Sequence, residues 1–221
     1  DGTLNGATLL GTFRFTAGLL ASAEYLRSEP VTLPDRPDGD YFIVVVTDAD
    51  TEVFERAAEG NNTTTSAQTL LLAHPDLLID QVSLPDGTAA ESSSTISVEW
   101  TGRNAGTGAT TAGWTDRVFL SSDATRSADD LLLGSLPHSG AIAAADTYNG
   151  SLPVRLPDGV TGMFKILVES DAAGDVMEGV GEGNNVGASD ELVISLAPFA
   201  DLTVSRVEAP APPLPSKPVT E

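Results

Sequence analysis

Cysteine is absent from the 221-residue chain, and histidine and aromatic residues are scarce. Without cysteine, disulfide bonds and thiolate-ligated zinc sites are excluded. The two histidines, His74 and His138, leave little for histidine-based catalysis or metal binding. Aromatic residues make up 5% of the chain and hydrophobic residues 41%, mostly alanine, valine and leucine. We therefore expect a core of small aliphatic side chains.

Positive charge is also scarce, because 11 Lys and Arg residues stand against 32 Asp and Glu residues, a net charge of −21. A field of this sign repels nucleic acid and anionic lipid, so we expect no nucleic-acid partner. No run approaches the ~20 apolar residues of a membrane-spanning helix, and we expect no membrane insertion in this segment. Bound cations would relieve the self-repulsion of so acidic a chain.

The sequence repeats itself at a nearly constant spacing. Four short blocks recur in the same order, displaced by 123 to 125 positions: EGNN at 59–62 and 182–185, LPD at 33–35 and 156–158, LLG at 9–11 and 132–134, and DL at 76–77 and 201–202. Such a series predicts tandem copies of one module. We expect residues 76–200 to form a complete repeat and 1–75 the C-terminal half of a first one. Residues 201–221 are then the first strand of a third repeat and a proline-rich end, so the chain is expected to begin and end within a repeat.

Short strands dominate the expected complete repeat. Ile96, Val98 and Trp100 alternate with polar residues, which is the period of a strand with one buried face. No segment has the 3.6-residue period of an amphipathic helix. About seven strands are expected, at 76–84, 95–104, 114–121, 131–136, 148–156, 162–170 and 190–196. The pattern predicts an all-β fold made of immunoglobulin-like antiparallel β-sandwich repeats.

Several motifs of this repeat resemble one family, the CARDB domains (cell-adhesion-related domain found in bacteria). The resemblance rests on DL at 76–77, SVEW at 97–100, NAG at 104–106, WTDRVFLS at 114–121, LLG at 132–134, VME at 176–178 and EGNN at 182–185. The last of these is the most specific. The resemblance implies an immunoglobulin-like fold in large extracellular bacterial proteins, usually in tandem, with a role in adhesion or as a spacer. It implies no catalytic residues.

Two acidic loops, at residues 48–62 and 171–185, are the candidate metal sites. Carboxylate and amide oxygens without histidine or cysteine favour calcium, which takes six to eight oxygen ligands. The candidate ligands are Asp48, Asp50, Glu55, Asn61, Asn62, Asp171, Asp175, Glu178, Asn184 and Asn185. The alternative is that these side chains build turns, since Asp and Asn tolerate left-handed backbone and bond to neighbouring backbone groups. The spacing does not match an EF-hand, and a further acidic loop holds Asp123, Asp129 and Asp130.

The two tryptophans have two interpretations. Trp100 and Trp114 could stack on a carbohydrate, but each lies in an alternating strand, where an aromatic side chain more often belongs to the core. The sequence contains no serine-nucleophile, zinc-protease or phosphate-binding motif. His74 lies in a linker before Pro75, and His138 has no counterpart in the first repeat. We expect a protein that is not an enzyme.

The leading functional hypothesis is a non-catalytic structural or adhesive repeat of a secreted or surface-attached bacterial protein. It would act as a stalk, a spacer or a building block of a filament or layer, at an extracellular or cell-surface location. The expected partners are neighbouring repeats, copies of the protein itself and a surface glycan or protein ligand, and the expected cofactor is calcium. The alternative is an accessory or carbohydrate-binding module of a larger secreted hydrolase.

Overall fold

The computed structural model describes residues 4–198 and 200–208, and these residues form strands but no α-helix. The other regular elements of the described chain are two short 3-10 turns, at Glu59–Asn61 and Gly179–Gly181. No helix in this part of the chain is long and apolar enough to cross a membrane. The predicted all-β fold is confirmed. The proline-rich end, from residue 209 onward, lies outside the described residues.

Four strands of three residues each lie in residues 38–76, which we call the early region. Strand β1 (Gly39–Tyr41) pairs antiparallel with β4 (Leu70–Leu72). Strand β2 (Val44–Val46) pairs antiparallel with β3 (Thr63–Thr65). Residues 201–208, expected as the start of a third repeat, form no strand, and their apolar side chains are exposed.

The other nine strands form a β-sandwich, which we define as residues 77–195. They are β5 (Leu77–Ser83), β6 (Ala89–Glu91), β7 (Thr95–Asn104), β8 (Trp114–Ser121), β9 (Leu131–His138), β10 (Thr147–Arg155), β11 (Gly162–Glu169), β12 (Val186–Ala188) and β13 (Leu192–Ser195). One sheet has the order β10-β7-β5 and the other β6-β13-β11-β8-β9, with β12 also bonded to β11. All pairs are antiparallel except β13 with β6. All seven predicted strands are present, whereas the short β6 and β12 were not predicted.

Side chains from both sheets meet in one core. Along β7 every second residue from Ile96 to Asn104 is buried, as the sequence alternation predicted. The largest fully buried aliphatic side chains are Leu77, Val98, Val118, Val154, Leu156, Ile166, Leu167, Val168, Leu192 and Ile194. Burying a side chain of this size contributes about 1.5–3 kcal/mol. The core is therefore the main source of the sandwich's stability.

Two glycines make room for large aromatic rings between β7 and β10. Gly150 lies opposite Trp100, and Gly102 lies opposite Tyr148. A Cβ atom at Gly150 would lie 2.1 Å from the Trp100 ring, and one at Gly102 would lie 2.3 Å from the Tyr148 ring. Since any larger residue would displace a ring, these pairs help to fix the register of the two strands.

The early region is attached to the sandwich around His74. The Thr107 and Gly108 N–H groups donate to the His74 carbonyl at 3.0 and 2.9 Å. Asp38 accepts hydrogen bonds from the Thr107 hydroxyl and from the His74 N–H, and its Oδ1 lies 2.6 Å from His74 Nδ1. The bonds from Thr107 and His74 lower the pKa of the Asp38 carboxyl. The junction thus contains direct polar contacts.

Candidate cation site and buried aromatic cluster

The second acidic loop, residues 171–185, connects β11 to β12 and begins with a turn built by Asp171. Asp171 has a positive φ of 46°, a conformation that Asp tolerates better than most residues. Its Oδ1 accepts the Asp175 N–H at 2.8 Å, and its Oδ2 accepts the Val176 N–H at 2.9 Å. Burial raises the pKa of the Asp171 carboxyl, while these two bonds act in the opposite direction. Both oxygens are therefore used in building the turn.

Glu178 is the unusual residue of this loop. Its side chain is 2% exposed, and neither Oε1 nor Oε2 forms a hydrogen bond. Burial raises its pKa to about 7, and the charges of Glu182 and Asp171 add to the effect. The Leu77 N–H and the Asn185 side chain lie near enough to lower the pKa in part, but neither completes a hydrogen bond to the carboxylate. A buried carboxylate in this state is energetically costly.

Asn185 lies beside Glu178 and is also buried. Its side chain is 6% exposed, and its Oδ1 has no hydrogen-bond partner. Its backbone carbonyl accepts the Ser170 N–H at 2.9 Å, which places the amide at the base of the loop. Glu178 and Asn185 together therefore contribute three buried oxygen atoms that complete no hydrogen bond.

The remaining candidates in this loop are engaged elsewhere or exposed. Asn184 donates from Nδ2 to Asp76 Oδ1 at 3.0 Å, and the Asp175 side chain is exposed. Glu182 Oε1 accepts the Glu178 N–H at 2.9 Å. Among residues 4–198 and 200–208, no group of three or more His, Cys, Asp and Glu side chains is arranged to hold a metal ion. The predicted ligands of the second loop thus do not converge as one carboxylate cluster.

The first acidic loop, residues 48–62, contains the same Asp-built turn as the second loop, but its polar residues are less buried. Asp48 has a φ of 45°, and its carboxylate accepts the Glu52 and Val53 N–H groups at 2.8 and 3.0 Å. Asp50 and Asn61 are exposed, and Glu55 and Asn62 are half-buried. The Asn62 carbonyl accepts the Thr47 N–H at 2.8 Å. In this loop the structure supports the turn-building interpretation for Asp48.

The loop at residues 123–130 already contains a cation. Arg126 lies 3.3 Å from Asp130 Oδ2, which also accepts the Ser127 N–H at 2.6 Å. Burial acts to raise the pKa of Asp130, but the bonds from Ser121, Ser127 and Arg126 outweigh it and the pKa is lowered. Asp123 Oδ1 accepts the Thr125 N–H at 2.7 Å. These carboxylates are satisfied by the protein itself.

Both tryptophans belong to a buried cluster around Asp116. Trp100 Nε1 donates to Asp116 Oδ2, and Trp114 Nε1 donates to Asp116 Oδ1, each at 2.8 Å. The Tyr148 hydroxyl lies 3.3 Å from the same Oδ1 and 2.8 Å from Ser170 Oγ. Burial raises the pKa of the Asp116 carboxyl, although the indole bonds lower it in part. Burial also raises the pKa of Tyr148.

This cluster confirms the core interpretation of the tryptophans. Both indoles are 2% exposed, so neither face is open for stacking on a sugar. The second histidine, His138, stacks on Trp114 with ring centroids 4.1 Å apart. The role of Asp116 was not predicted, although it follows Trp114 by two positions and therefore shares the inward face of β8.

An open groove of about 320 Å³ runs over the outer face of the three-stranded sheet. Its lining is mostly polar, from Gln81, Ser83, Glu99, Thr101, Asn149 and Ser151, with Trp100 and Gly150 at its floor. The Thr101 hydroxyl donates to Asn149 Oδ1 at 2.9 Å. No exposed aromatic ring lines this groove, so it lacks the stacking platform that we considered for a carbohydrate.

Comparisons with known proteins match no family model and no curated protein. The chain is similar to the crystal structure of a CARDB domain from Pyrococcus furiosus in complex with di-metal ions, with 17% identity, 56% of this chain and 96% of that one covered, and a TM-score of 0.41. The solution structure of the same domain gives 17% identity, coverages of 55% and 95%, and a TM-score of 0.40. A β-glucosidase from Listeria innocua gives 12% identity, coverages of 57% and 17%, and a TM-score of 0.34. The two Pyrococcus structures are of the family that the sequence motifs resemble.

Proposed function

We propose that this chain is a non-catalytic structural module of an extracellular or surface-attached bacterial protein, acting as a stalk or spacer. The observation that carries the proposal is that the buried Asp116 carboxylate forms hydrogen bonds with side chains of the core. Asp116 accepts hydrogen bonds from two indole N–H groups, and the Tyr148 hydroxyl lies 3.3 Å from its Oδ1. Asp116 is 1% exposed, and a carboxylate with these contacts orders the core.

The arrangement of the chain in series supports a spacer role. The early region repeats the β11–β12 ladder residue for residue, since β2 and β3 pair in the same register 123 positions earlier. Repeated modules joined by short linkers transmit force and set distance. The contacts of Asp38 with His74 and Thr107 limit bending at the junction. The proposed partners are neighbouring repeats, further copies of the chain and a surface glycan or protein.

Calcium is the proposed cofactor. The net charge of −21 opposes the packing of successive acidic modules, and a bound divalent cation reduces that repulsion. Oxygen-rich loops at module boundaries suit the calcium concentrations outside cells, where extracellular modules bind with dissociation constants of about 10⁻⁴–10⁻³ M. We expect calcium to stiffen the module without taking part in any reaction.

Single-molecule stretching of the full chain between terminal handles tests the spacer role. We expect the sandwich to unfold in one step that releases roughly 40 nm, since its residues extend by at most about 3.3–3.6 Å each. Val98→Ala, in the buried face of β7, should lower the unfolding force, while Glu99→Gln on the exposed face of the same strand should leave it unchanged. Gradual extension without a defined step would overturn the proposal, because a spacer must resist force as a unit.

A further inference from the structure

We infer that Glu178 and Asn185 form the centre of a divalent-cation site of calcium type between the second acidic loop and the start of β5. The inference rests on the calcium part of the proposed function and gives it a location. Ten candidate ligands follow from the sequence. The structure selects two of them, because only these two combine a buried side chain with oxygen atoms that form no hydrogen bond.

The first argument is the three buried acceptors. Glu178 Oε1, Glu178 Oε2 and Asn185 Oδ1 are all inaccessible to solvent and without hydrogen bonds. Buried polar atoms in folded proteins nearly always have a partner, so such a group points to a binding place for an ion or water. A carboxylate and an amide oxygen are ligands that calcium prefers. By contrast, both oxygens of Asp171 are occupied by backbone N–H groups.

The second argument is the local charge. Within the described chain, no Lys, Arg or His side chain forms an ion pair with Glu178, Asp171 or Glu182. The His74 ring lies beside Gly179, next to Glu178 in the chain. Its two ring nitrogens face other carboxylates, Asp38 at 2.6 Å and Asp35 at 3.6 Å. The carboxylates of Asp171 and Glu182 add negative charge around Glu178. A cation at this point would offset all three charges.

The third argument is the geometry of the loop. A 3-10 turn at Gly179–Gly181 follows Glu178, and Gly179 has a φ of 60°, which favours glycine. Gly181 packs against Asp76, which also accepts the Asn184 amide at 3.0 Å. The loop is thereby tied to the residue that precedes β5. Loop carbonyls and water would complete the coordination of a cation on Glu178 and Asn185. The cation would stiffen the point where the chain enters the sandwich.

Calcium titration of the full chain, stripped with a chelator and held at constant ionic strength, tests this site. We expect a saturable rise of about 5 °C or more in the unfolding midpoint at 10 mM calcium, because ligand binding to the folded state stabilises it. Calorimetry should show one site on the sandwich. Glu178→Gln removes the charge but keeps the shape, so this variant should fold and lose the saturable rise. Asp175→Asn changes the charge of the same loop at an exposed position and should keep it.

The possible results distinguish an error in the location of the site from an error in the proposal that calcium binds at all. If Glu178→Gln responds to calcium as the wild type does, the location is wrong and calcium binds elsewhere. If the response is lost in Asp175→Asn and kept in Glu178→Gln, the exposed rim of the loop is the site and the inference fails. If the wild type gives no response beyond that of potassium chloride, both the site and the calcium part of the proposed function are wrong. The stretching experiment stands apart from all three results.

Discussion

The early region and the second half of the sandwich have the same local backbone in opposite environments. Strands β2 and β3 pair in the register of β11 and β12, displaced by 123 positions. Asp48 and Asp171 have φ values of 45° and 46°, and each accepts the N–H groups four and five residues later. Ser66 and Ser189 each accept a backbone N–H with the side-chain oxygen, from Ile43 and Ile166. Local sequence is therefore sufficient for the turn and the ladder.

The two regions differ in how far their equivalent apolar side chains are buried. Val168 is fully buried, whereas Val45 at the equivalent position is 62% exposed. Val176 is 4% exposed and its equivalent Val53 is 59% exposed. In the sandwich the opposite sheet of β5, β7 and β10 covers this face, and within the described residues the early region has no corresponding sheet. Local hydrogen bonds thus need only a short segment, while a core needs both halves of the module.

The largest expected effect contrasts two isoleucines at equivalent positions. Ile166 is fully buried, so Ile166→Ala should lower the free energy of unfolding of the sandwich by about 4 kcal/mol. Ile43→Ala, in the half-buried equivalent, should change it by less than about 0.5 kcal/mol. Denaturation followed by tryptophan fluorescence measures the sandwich alone, because both tryptophans lie in its core. Equal effects of the two substitutions would mean that the early region is part of the same cooperative unit.

The second prediction concerns pH and Glu178, with Glu55 as its equivalent 123 positions earlier. The usual pKa of a glutamate here is 4.5 and that of folded Glu178 is about 7. Below pH 4.5 the carboxyl is protonated in both the folded and the unfolded chain, and its contribution to stability is fully present. As the pH rises toward 7, the unfolded chain releases the proton first, so the free energy of unfolding falls by roughly 3 kcal/mol.

Denaturation between pH 4.5 and 8, in the presence of a chelator, measures this contribution. Glu178→Gln should remove most of the fall, since glutamine does not titrate. Glu55→Gln serves as the matched control and should leave the pH dependence of the sandwich unchanged. A wild-type profile that coincides with that of Glu178→Gln would show that the burial of this carboxyl carries no energetic cost.

The third prediction concerns the half of the module that has no counterpart in the early region. Asp116→Asn keeps one acceptor for the indoles but places an amide N–H₂ against the other, so one buried donor loses its partner. We expect a loss of about 2 kcal/mol, the cost of one unsatisfied buried group, reduced in part because a buried charge is removed. Near-ultraviolet circular dichroism should report the altered tryptophan packing. An unchanged spectrum and midpoint would mean that the carboxylate does not order the cluster.

The sequence was most informative where periodicity reports burial. Alternation in β7 predicted its inward face, including Trp100, and turn residues predicted the ends of most strands. The same reasoning reaches Asp116, because it shares the face of Trp114 and Val118, but a charged residue at an inward position was not assigned to the core. Two indole donors are what permit it there. The two-residue spacing of Trp114 and Asp116 in the sequence indicates that both side chains lie on the same face of β8.

The acidic loop shows where such reasoning ends. Asp175, Glu178, Asn184 and Asn185 are all polar loop residues with no period to distinguish them. Only the folded chain separates the buried Glu178 and Asn185 from the exposed Asp175. The difference arises because β5 passes close to the loop, with Asp76 bonded to Asn184 over 108 positions of sequence. Contacts of that range have no local signature.

The smallest predicted effect tests whether the shared turn matters equally in the two regions. Asp171→Ala removes two backbone hydrogen bonds and places alanine at a positive φ, so we expect a loss of about 1–2 kcal/mol in the sandwich. Asp48→Ala removes the same bonds from the early region, where water can replace them, and should change the sandwich by less than about 0.5 kcal/mol. Hydrogen exchange at Val176 and Val53 measures each turn directly. Faster exchange is expected at both amides after the respective substitution, because the turn is local, while only Asp171→Ala should lower the global midpoint. If Asp48→Ala lowered that midpoint as far, the turn in the early region would have to support the sandwich through the His74 junction.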